Sequence, residues 1–520
     1  MSEDQDQPRN GGASARAPAA VREDMRPPEP DPAAARLRRI GVIDIGSNSV
    51  RLVVFDGMAR SPAYFYNEKV LAGLGAGLQQ SGKLSKKGWS RAMDALRRFA
   101  GLAERMNLSG IIAVATAAVR DAKDGQAFVD DVERETGLQI HVASGAEEAR
   151  LAAKGVLLGW PDADGIVSDM GGASMELARV GDGEIGETET SDLGPLQLAG
   201  FPDKAAREKA IRKGVKALRK AVRGPVTRLF LVGGSWRAVA RLDMERTGYP
   251  LIVLHGYEPP VSQLVETAKW IGTQDVAEMS KATGISTERL SLVPHAAEVL
   301  VELVERLDPE RVAISAFGLR EGLLYRQMPD TMRRKDPLIE ACRHMEKAMA
   351  RCPGFGGALY EWLLPLYVGM PESEKRLVRA ACLLHDINWR GHPDYRAELC
   401  FESVTRANVC GIDHPSRVFL GLALMHRYKN ADESAASRYA ALIPPARAAE
   451  AQVLGRAMRL GAMLSGASTG VLEHTPLERR DGKLRLVLRG PARPFMGDAV
   501  GKRLQALAQK LGDAPEVVLD

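Results

Sequence analysis

A chain of 520 residues allows about three or four domains, each large enough for its own core, and 45% hydrophobic with 26% charged residues is an ordinary globular composition. No apolar run is long enough to span a bilayer and the polar, mixed-charge N-terminus does not read as a secretory signal, so a cytoplasmic protein with no membrane partner is expected. The net charge of +5 suits an anionic ligand without demanding one, and the five cysteines, odd in number and without paired metal-type spacing, favour reduced, mostly buried thiols.

Residues 1–38 begin with a stretch to about Arg36 that is rich in Pro, Ala, Glu, Asp and Arg and poor in large apolar side chains, which predicts a disordered tail. From Arg39 strands and helices alternate. Arg39–Asp44 and Val50–Asp56 read as strands, Leu84–Met106 as a helix with Trp89, Met93, Leu96, Phe99 and Leu102 on one stripe, and Ile111–Ala115 as a buried strand. Gly125–Thr136 (helix), Gln139–Val142 (strand) and Ala146–Leu158 (helix) follow, giving a first α/β lobe over 39–160. Ile166–Asp169 restarts the pattern and opens a second lobe over 161–330. Within it, Lys204–Arg223 is a basic helix with a core stripe of Ile211, Val215, Leu218 and Val222; its cationic face is either simply solvated or follows a polyanion. Thr331–Pro337 suits a linker. Residues 331–478 read as mainly helical, with helical apolar spacing over Leu377–Leu384, Val418–Arg427 and Ala448–Ser465, and 479–520 as a small α+β cap of strand, helix and strand.

Two segments carry chemistry. Gly41–Phe55 is an apolar strand, Asp44, a turn of Gly46, Ser47, Asn48 and Ser49, then a second apolar strand. Gly165–Ala178 repeats it, with Asp169 before a turn of Gly171, Gly172, Ala173 and Ser174, and Glu176 after it. The free N–H groups and hydroxyls of such a turn can wrap a phosphate while the carboxylate helps to hold a divalent cation. One such hairpin is weak evidence; two suggest a duplicated phosphate-binding domain. Glu176 reads either as part of a metal shell or as a strand-surface residue. Arg120, at the end of Ala115-Thr-Ala-Ala-Val-Arg120, is either a phosphate ligand or an ion-pair partner of Asp121 or Asp124. Gly233-Gly234-Ser235, after the apolar run Leu229–Val232, contacts a phosphate chain or nucleotide, or lets lobes pack closely. Glu147 and Glu148, taken alone, read as acids that complement a helix N-terminus.

The doubled hairpin resembles the superfamily of actin, hexokinase and acetate kinase, and within it the exopolyphosphatase/guanosine pentaphosphatase family. The likeness rests on Asp44–Ser49, Ala115–Arg120, Ser144-Gly-Ala-Glu-Glu-Ala-Arg150, the second loop at Asp169, Gly233–Ser235 and Gly318-Leu-Arg-Glu-Gly322, in that order. It is strong over Arg39–Arg326. The resemblance implies duplicated actin-like, ribonuclease-H-like lobes and Mg²⁺-dependent hydrolysis of a terminal phosphate (another divalent cation is an alternative). In that reading Asp44, Asp169 and Glu176 hold metal. Ser47, Asn48, Ser49, Arg120, Gly171–Ser174 and Gly233–Ser235 bind phosphate in a cleft between lobes, and Glu148, the second Glu of its motif, is the base. The expected substrate is inorganic polyphosphate. Guanosine pentaphosphate (pppGpp) is the alternative, a (p)ppGpp- or polyphosphate-binding protein with weak turnover is another, and a kinase-like transferase is a weaker one. A homodimer without nucleic acid is expected.

Two departures stand out. The usual Gly-Gly-Gly-Ser-Thr-Glu loop is here Gly171-Gly-Ala-Ser-Met-Glu176, so Ala173 adds a methyl where unusual backbone angles or close phosphate approach are at stake, and Met175 removes a hydroxyl. Further on, His385-Asp386 suggests an HD-type metal phosphohydrolase, but Arg351–Tyr367 offers no upstream His, so a degenerate HD-like domain is expected. Its Arg390, Arg396, Arg417, Arg427 and Lys429 are candidates to line a channel for a long anion.

Overall fold

The computed structural model describes residues 38–57, 59–429, 437 and 439–520; the tail expected over 1–37 lies outside them. By internal contacts the chain forms two units. One comprises the described residues up to Gly57 with Tyr64–Glu147, and the other Ala59–Ala63 with Glu148–Asp520.

In the first unit β1 (Ile40–Ile45), β2 (Val50–Phe55), β3 (Tyr64–Val70), β4 (Gly110–Ala115) and β5 (Ile140–Val142) form one sheet in the order β3-β2-β1-β4-β5. β1, β2 and β3 run antiparallel; β4 and β5 join in parallel. β1, β2 and β4 are apolar and buried on both faces, as expected of central strands covered by helices. Helix Lys86–Arg105 starts where the Ser85 hydroxyl accepts from Gly88 N and buries Met93, Leu96 and Phe99. Helix Gly125–Thr136 ends at the left-handed Gly137. Its Phe128 meets Trp89 edge-on at 5.0 Å.

The second unit repeats this topology. β6 (Gly165–Met170), β7 (Met175–Gly181), β8 (Glu184–Ser191), β9 (Arg228–Gly233) and β10 (Arg311–Ile314) order as β8-β7-β6-β9-β10, again three antiparallel strands followed by two parallel ones. The duplication inferred from two hairpins therefore extends to whole sheets. The basic helix, Lys204–Ala221, buries Ile211, Val215 and Leu218 against this core.

Glycines fix the helix that carries Glu148. In helix Gly145–Gly159 a Cβ at Gly155 would lie 2.3 Å from Gly318 O, and a Cβ on Gly322 would lie 1.8 Å from Leu151 O. Glu321, between those two glycines, reaches back to the Gly318 N–H at 2.8 Å and starts helix Leu319–Gln327. The Gly318–Gly322 motif is thus a backbone-to-backbone clasp. Arg60, buried, donates to Leu158 O at the far end of the same helix and to the carbonyls of Arg333 and Lys335. The linker expected at Thr331–Pro337 is accordingly held in place, and its Asp336 caps helix Pro337–Met349 and pairs with Arg376.

The C-terminal part is helical as expected, with helices Glu372–Leu384, His414–Tyr428 and Pro445–Ser465. Its end has one strand more than the strand, helix and strand read from sequence: β11 (Leu477–Arg480), β12 (Lys483–Leu488) and β13 (Ala514–Leu519) form a sheet. Leu484, Leu486, Leu504 and Leu507 share one core with Leu338, Phe355 and Leu454. All five cysteines are free thiols, four of them buried. Among the described residues no helix is long and apolar enough to cross a membrane.

The glycine clasp gives the first prediction. Gly322→Ala drives a methyl into the Leu151 carbonyl and lowers stability by about 1–3 kcal/mol, the usual cost of overpacking. Urea unfolding measures it; an unchanged midpoint would contradict the clasp.

Candidate active site

Both hairpin tips are built alike. Gly46 N–H donates to Ser49 O at 3.0 Å, and Gly171 N–H to Ser174 O at 3.0 Å. The carbonyls inside each tip are tied back. Ser47 O and Asn48 O accept from Gly75 N (2.8 Å) and Gly73 N (3.0 Å), and Gly172 O and Ala173 O accept from Leu196 N (2.9 Å) and Gly194 N (3.2 Å). C=O and N–H point opposite ways across a trans peptide, and no peptide described is cis. Fastening these carbonyls on one side therefore turns the N–H groups of Asn48, Ser49, Ala173 and Ser174 to the other, the arrangement of an anion nest. Gly194 and Gly75 went unnoticed in the sequence because each lies some twenty residues or more beyond its tip. Gly194 has no room for a side chain, since its Cβ would sit 2.1 Å from the Ala173 carbonyl carbon.

The two departures in the second tip bring no backbone strain, and Met175 brings no exposed apolar surface. Ala173 does not adopt a positive φ, so its methyl costs no backbone strain. Met175 is fully buried in the core, where a hydroxyl would need a partner.

The tips differ in charge. Asp44 pairs across β1–β2 with Arg51, whereas Asp169 pairs across β6–β7 with Glu176. Opposed residues on antiparallel strands share a face, so the first hairpin sets opposite charges together and the second sets like charges together. Arg51 donates to Asn67 Oδ1 at 2.7 Å. Glu176 is 2% exposed and accepts from Thr190 Oγ1 at 3.0 Å. Burial first, then the charges of Glu148 and Asp169, hold the Glu176 carboxyl well above the usual carboxylate range, against hydrogen bonds from Ser174 and Thr190. Glu148, Asp169 and Glu176 thus form one electrostatic cluster within the second unit, and Glu148 and Glu176 are buried. Among the described residues no three acidic, His or Cys side chains converge closely enough to hold a bare metal ion.

Glu147 and Glu148 have different work. Glu147 closes a capping box with Ser144, accepting from its N–H at 2.8 Å and its hydroxyl at 3.0 Å while the hydroxyl accepts from Glu147 N. Burial raises its carboxyl, but Ser144 and His141 outweigh that and leave it below the ordinary value. Glu148, one position on, is buried beside the other two acids.

Gly233 meets the same cluster. It has φ 107°, and a Cβ there would lie 2.9 Å from Asp169 Oδ1, so helix Gly234–Arg246, with Ser235 in its first turn, begins beside the Asp169 carboxylate. The N-terminus of a helix favours anions. Arg120 belongs to the first unit. It bonds Asp121 at 3.0 Å, the ion pair weighed in the sequence, and Ala143 O at 3.1 Å.

The His385-Asp386 dyad is not arranged for metal. Both Asp386 oxygens are held by Arg351, at 2.7 and 2.8 Å, with Tyr428 OH at 3.2 Å. Burial raises the Asp386 carboxyl, but Arg351 prevails and keeps it below its ordinary range. His385 Nδ1 lies 2.8 Å from Cys382 O, and its buried Nε2 has no partner among the described residues. Arg417, one of the five basic positions proposed to line a channel, is instead buried and donates to the carbonyls of Ala407 and Val409.

Two predictions follow from these groups. A carboxyl whose pKa is raised on folding binds more protons folded than unfolded, so the metal-free protein loses stability as pH rises from the ordinary carboxylate range through the raised value. Glu176→Gln removes that fall; melting temperatures in chelator, compared across pH, show whether the wild-type curve drops more steeply. Arg351→Ala leaves Asp386 buried without its cation and costs about 3 kcal/mol, the low end for such pairs because the guanidinium is 41% exposed. Chemical denaturation of the variant measures it.

Known proteins resemble this chain over both parts. Residues 53–331 match the Ppx/GppA phosphatase family, and residues 338–518 match the exopolyphosphatase C-terminal family. Exopolyphosphatase 1 of Mycobacterium tuberculosis (strain ATCC 25618 / H37Rv) is 26% identical over 306 residues, 56% of this chain and 88% of that protein. The guanosine-5'-triphosphate,3'-diphosphate pyrophosphatase of Aeromonas salmonicida is 28% identical over 373 residues, 66% of this chain and 72% of that one. Among solved structures, an exopolyphosphatase from Cytophaga hutchinsonii aligns with a TM-score of 0.51 and 25% identity over 55% of this chain and 97% of its own. With its family-specific motifs spread through two lobes of repeated actin-like topology, the chain belongs to the Ppx/GppA phosphatase family.

Proposed function

We propose that this protein is an exopolyphosphatase that removes the terminal phosphate of inorganic polyphosphate by hydrolysis. The observation that carries the reading is the cluster of Glu148, Asp169 and Glu176 beside a tip whose carbonyls are fastened away and whose N–H groups are presented. Phosphoryl transfer needs positive charge and N–H donors for the equatorial oxygens and one group to orient the nucleophile.

Glu148 accepts a proton from the attacking water. A carboxylate serves here if it is placed and ionised, and it needs no large pKa shift. The N–H groups of Ala173 and Ser174, the first turn after Gly233 and Gly234, and the Ser235 hydroxyl hold phosphate oxygens. Within the first unit, the tip of Ser47, Asn48 and Ser49, together with Arg120, is the corresponding set of phosphate-binding groups. The acid cluster suits a divalent cation. Asp169 and Glu176 set two carboxylates on one face, where the first hairpin sets Asp44 with Arg51. Since no three such groups form a closed cage among the described residues, an ion such as Mg²⁺ would keep waters and take phosphate oxygens as remaining ligands. When bound it would offset the charge of the phosphate oxygens. The C-terminal part, HD-like without a metal, would serve packing and substrate guidance.

Hydrolysis of guanosine pentaphosphate to the tetraphosphate is the second reading. It is favoured by the Aeromonas salmonicida relative, whose match reaches further along this chain than the mycobacterial one. A binder without turnover is a further reading; Ala173 is unstrained and Met175 is a core residue.

Phosphate release from long-chain polyphosphate and from pppGpp, each with Mg²⁺, distinguishes the two substrates. Glu148→Ala is expected to lower kcat by about 10²–10⁴-fold, the range for loss of a general base. Equal release by variant and wild type would remove Glu148 from that role.

A further inference from the structure

The C-terminal helices hold a group of cations that the proposed reaction does not use. Helix Pro445–Ser465 crosses helix His414–Tyr428 at Gly455, where a Cβ would lie 2.5 Å from Ala423 O, 2.6 Å from His426 Cβ and 3.0 Å from Arg427 N. Next to this crossing, Arg459 lies within electrostatic reach of Arg427, Arg456 and Arg503, and Arg456 within reach of His426. Helix Asp498–Leu511 packs on the same helix, accepts from Arg456 Nη1 at Ala506 O (2.9 Å) and adds Arg503 and Lys510.

Among the described residues, none of Arg427, Arg456, Arg459 and Arg503 lies within ion-pair distance of a carboxylate. Asp386, the acid that acts on Arg427, has both oxygens on Arg351. Arg427 is 9% exposed, and its Nε, like that of Arg503, is buried without a hydrogen-bond partner. Burial first, then the charges of Arg503, Arg427 and Arg456, push Arg459 down to about 10. Burial, then Arg456 and Lys510, push His426 down to about 4, which leaves its ring neutral. Half-buried guanidiniums gathered near the buried Arg427 repel one another unless an anion joins them.

We propose that Arg427, Arg456, Arg459 and Arg503 form a receptor for a phosphate-type oxyanion, with exposed Lys510 at its mouth. Guanidinium forks match tetrahedral oxyanions bidentately, and several from different helices can share one. The ligand is either free orthophosphate or a phosphate within a longer chain. The site is separate from the acid cluster and does not depend on which substrate is hydrolysed.

Thermal unfolding of the full chain with inorganic orthophosphate, against sodium chloride of equal ionic strength, tests this. At ten times its dissociation constant a ligand shifts the folding equilibrium about eleven-fold. That stabilisation is expected in wild type and in Glu148→Gln, and is expected to be lost in Arg459→Met and in Arg503→Met. Both Met variants should also melt higher than wild type without phosphate, because each relieves repulsion; Arg503→Met guards against a folding defect in the other. Stabilisation by orthophosphate alone identifies a free-ion site. Stabilisation only by long-chain polyphosphate, lost in the same two variants, identifies a segment of a chain. Stabilisation that survives in both Met variants, or no stabilisation by either probe, overturns the proposal.

Discussion

The second unit places three carboxylates where they act on one another, with two of them out of water. Like charges in a poorly solvated setting are unfavourable unless a proton or a cation intervenes. The raised Glu176 carboxyl eases this by favouring its protonated form. Much of the surrounding architecture maintains the arrangement: Gly233 gives up its side chain so that a strand end can lie against Asp169, and Gly155 and Gly322 give up theirs so that the Glu148 helix can sit backbone to backbone on its neighbour. Each removes packing surface that an ordinary side chain would supply.

Duplication explains the scaffold, and divergence explains the chemistry. The two sheets share strand order, and the two tips share their closing hydrogen bond and the fastening of two carbonyls. They part at one cross-strand position, Arg51 in one and Glu176 in the other. The first copy sets a positive charge across from its aspartate, whereas the second sets a further carboxylate there. A phosphate chain with a bound divalent cation would supply charge and oxygen ligands together.

Both hairpins were legible in the sequence because their strands are buried on both faces and so read as unbroken apolar runs around an aspartate. β3, Tyr64–Val70, and β8, Glu184–Ser191, were not, since they are edge strands with no fully buried residue and no apolar period. Thr190, which holds Glu176, sits on one of them. The charge contrast between the tips was present in the letters Arg51 and Glu176 but needed strand register to acquire meaning. The same limit applied to Glu147 and Glu148: both suit a helix start, and only the capping box shows which one is already occupied. At His385-Asp386 the dyad was visible, while the guanidinium that takes its carboxylate comes from Arg351, thirty-five positions away.

The central claim is that Glu176 keeps a proton which a cation displaces. Titrating Mg²⁺, with a phosphate chain present, into weakly buffered Glu148→Gln protein and recording the protons set free tests it directly, because a metal that occupies a protonated ligand must release its proton. The account predicts proton release, at pH values above the ordinary carboxylate range, that disappears when Glu176→Gln is added; binding with the same release in both proteins would contradict it.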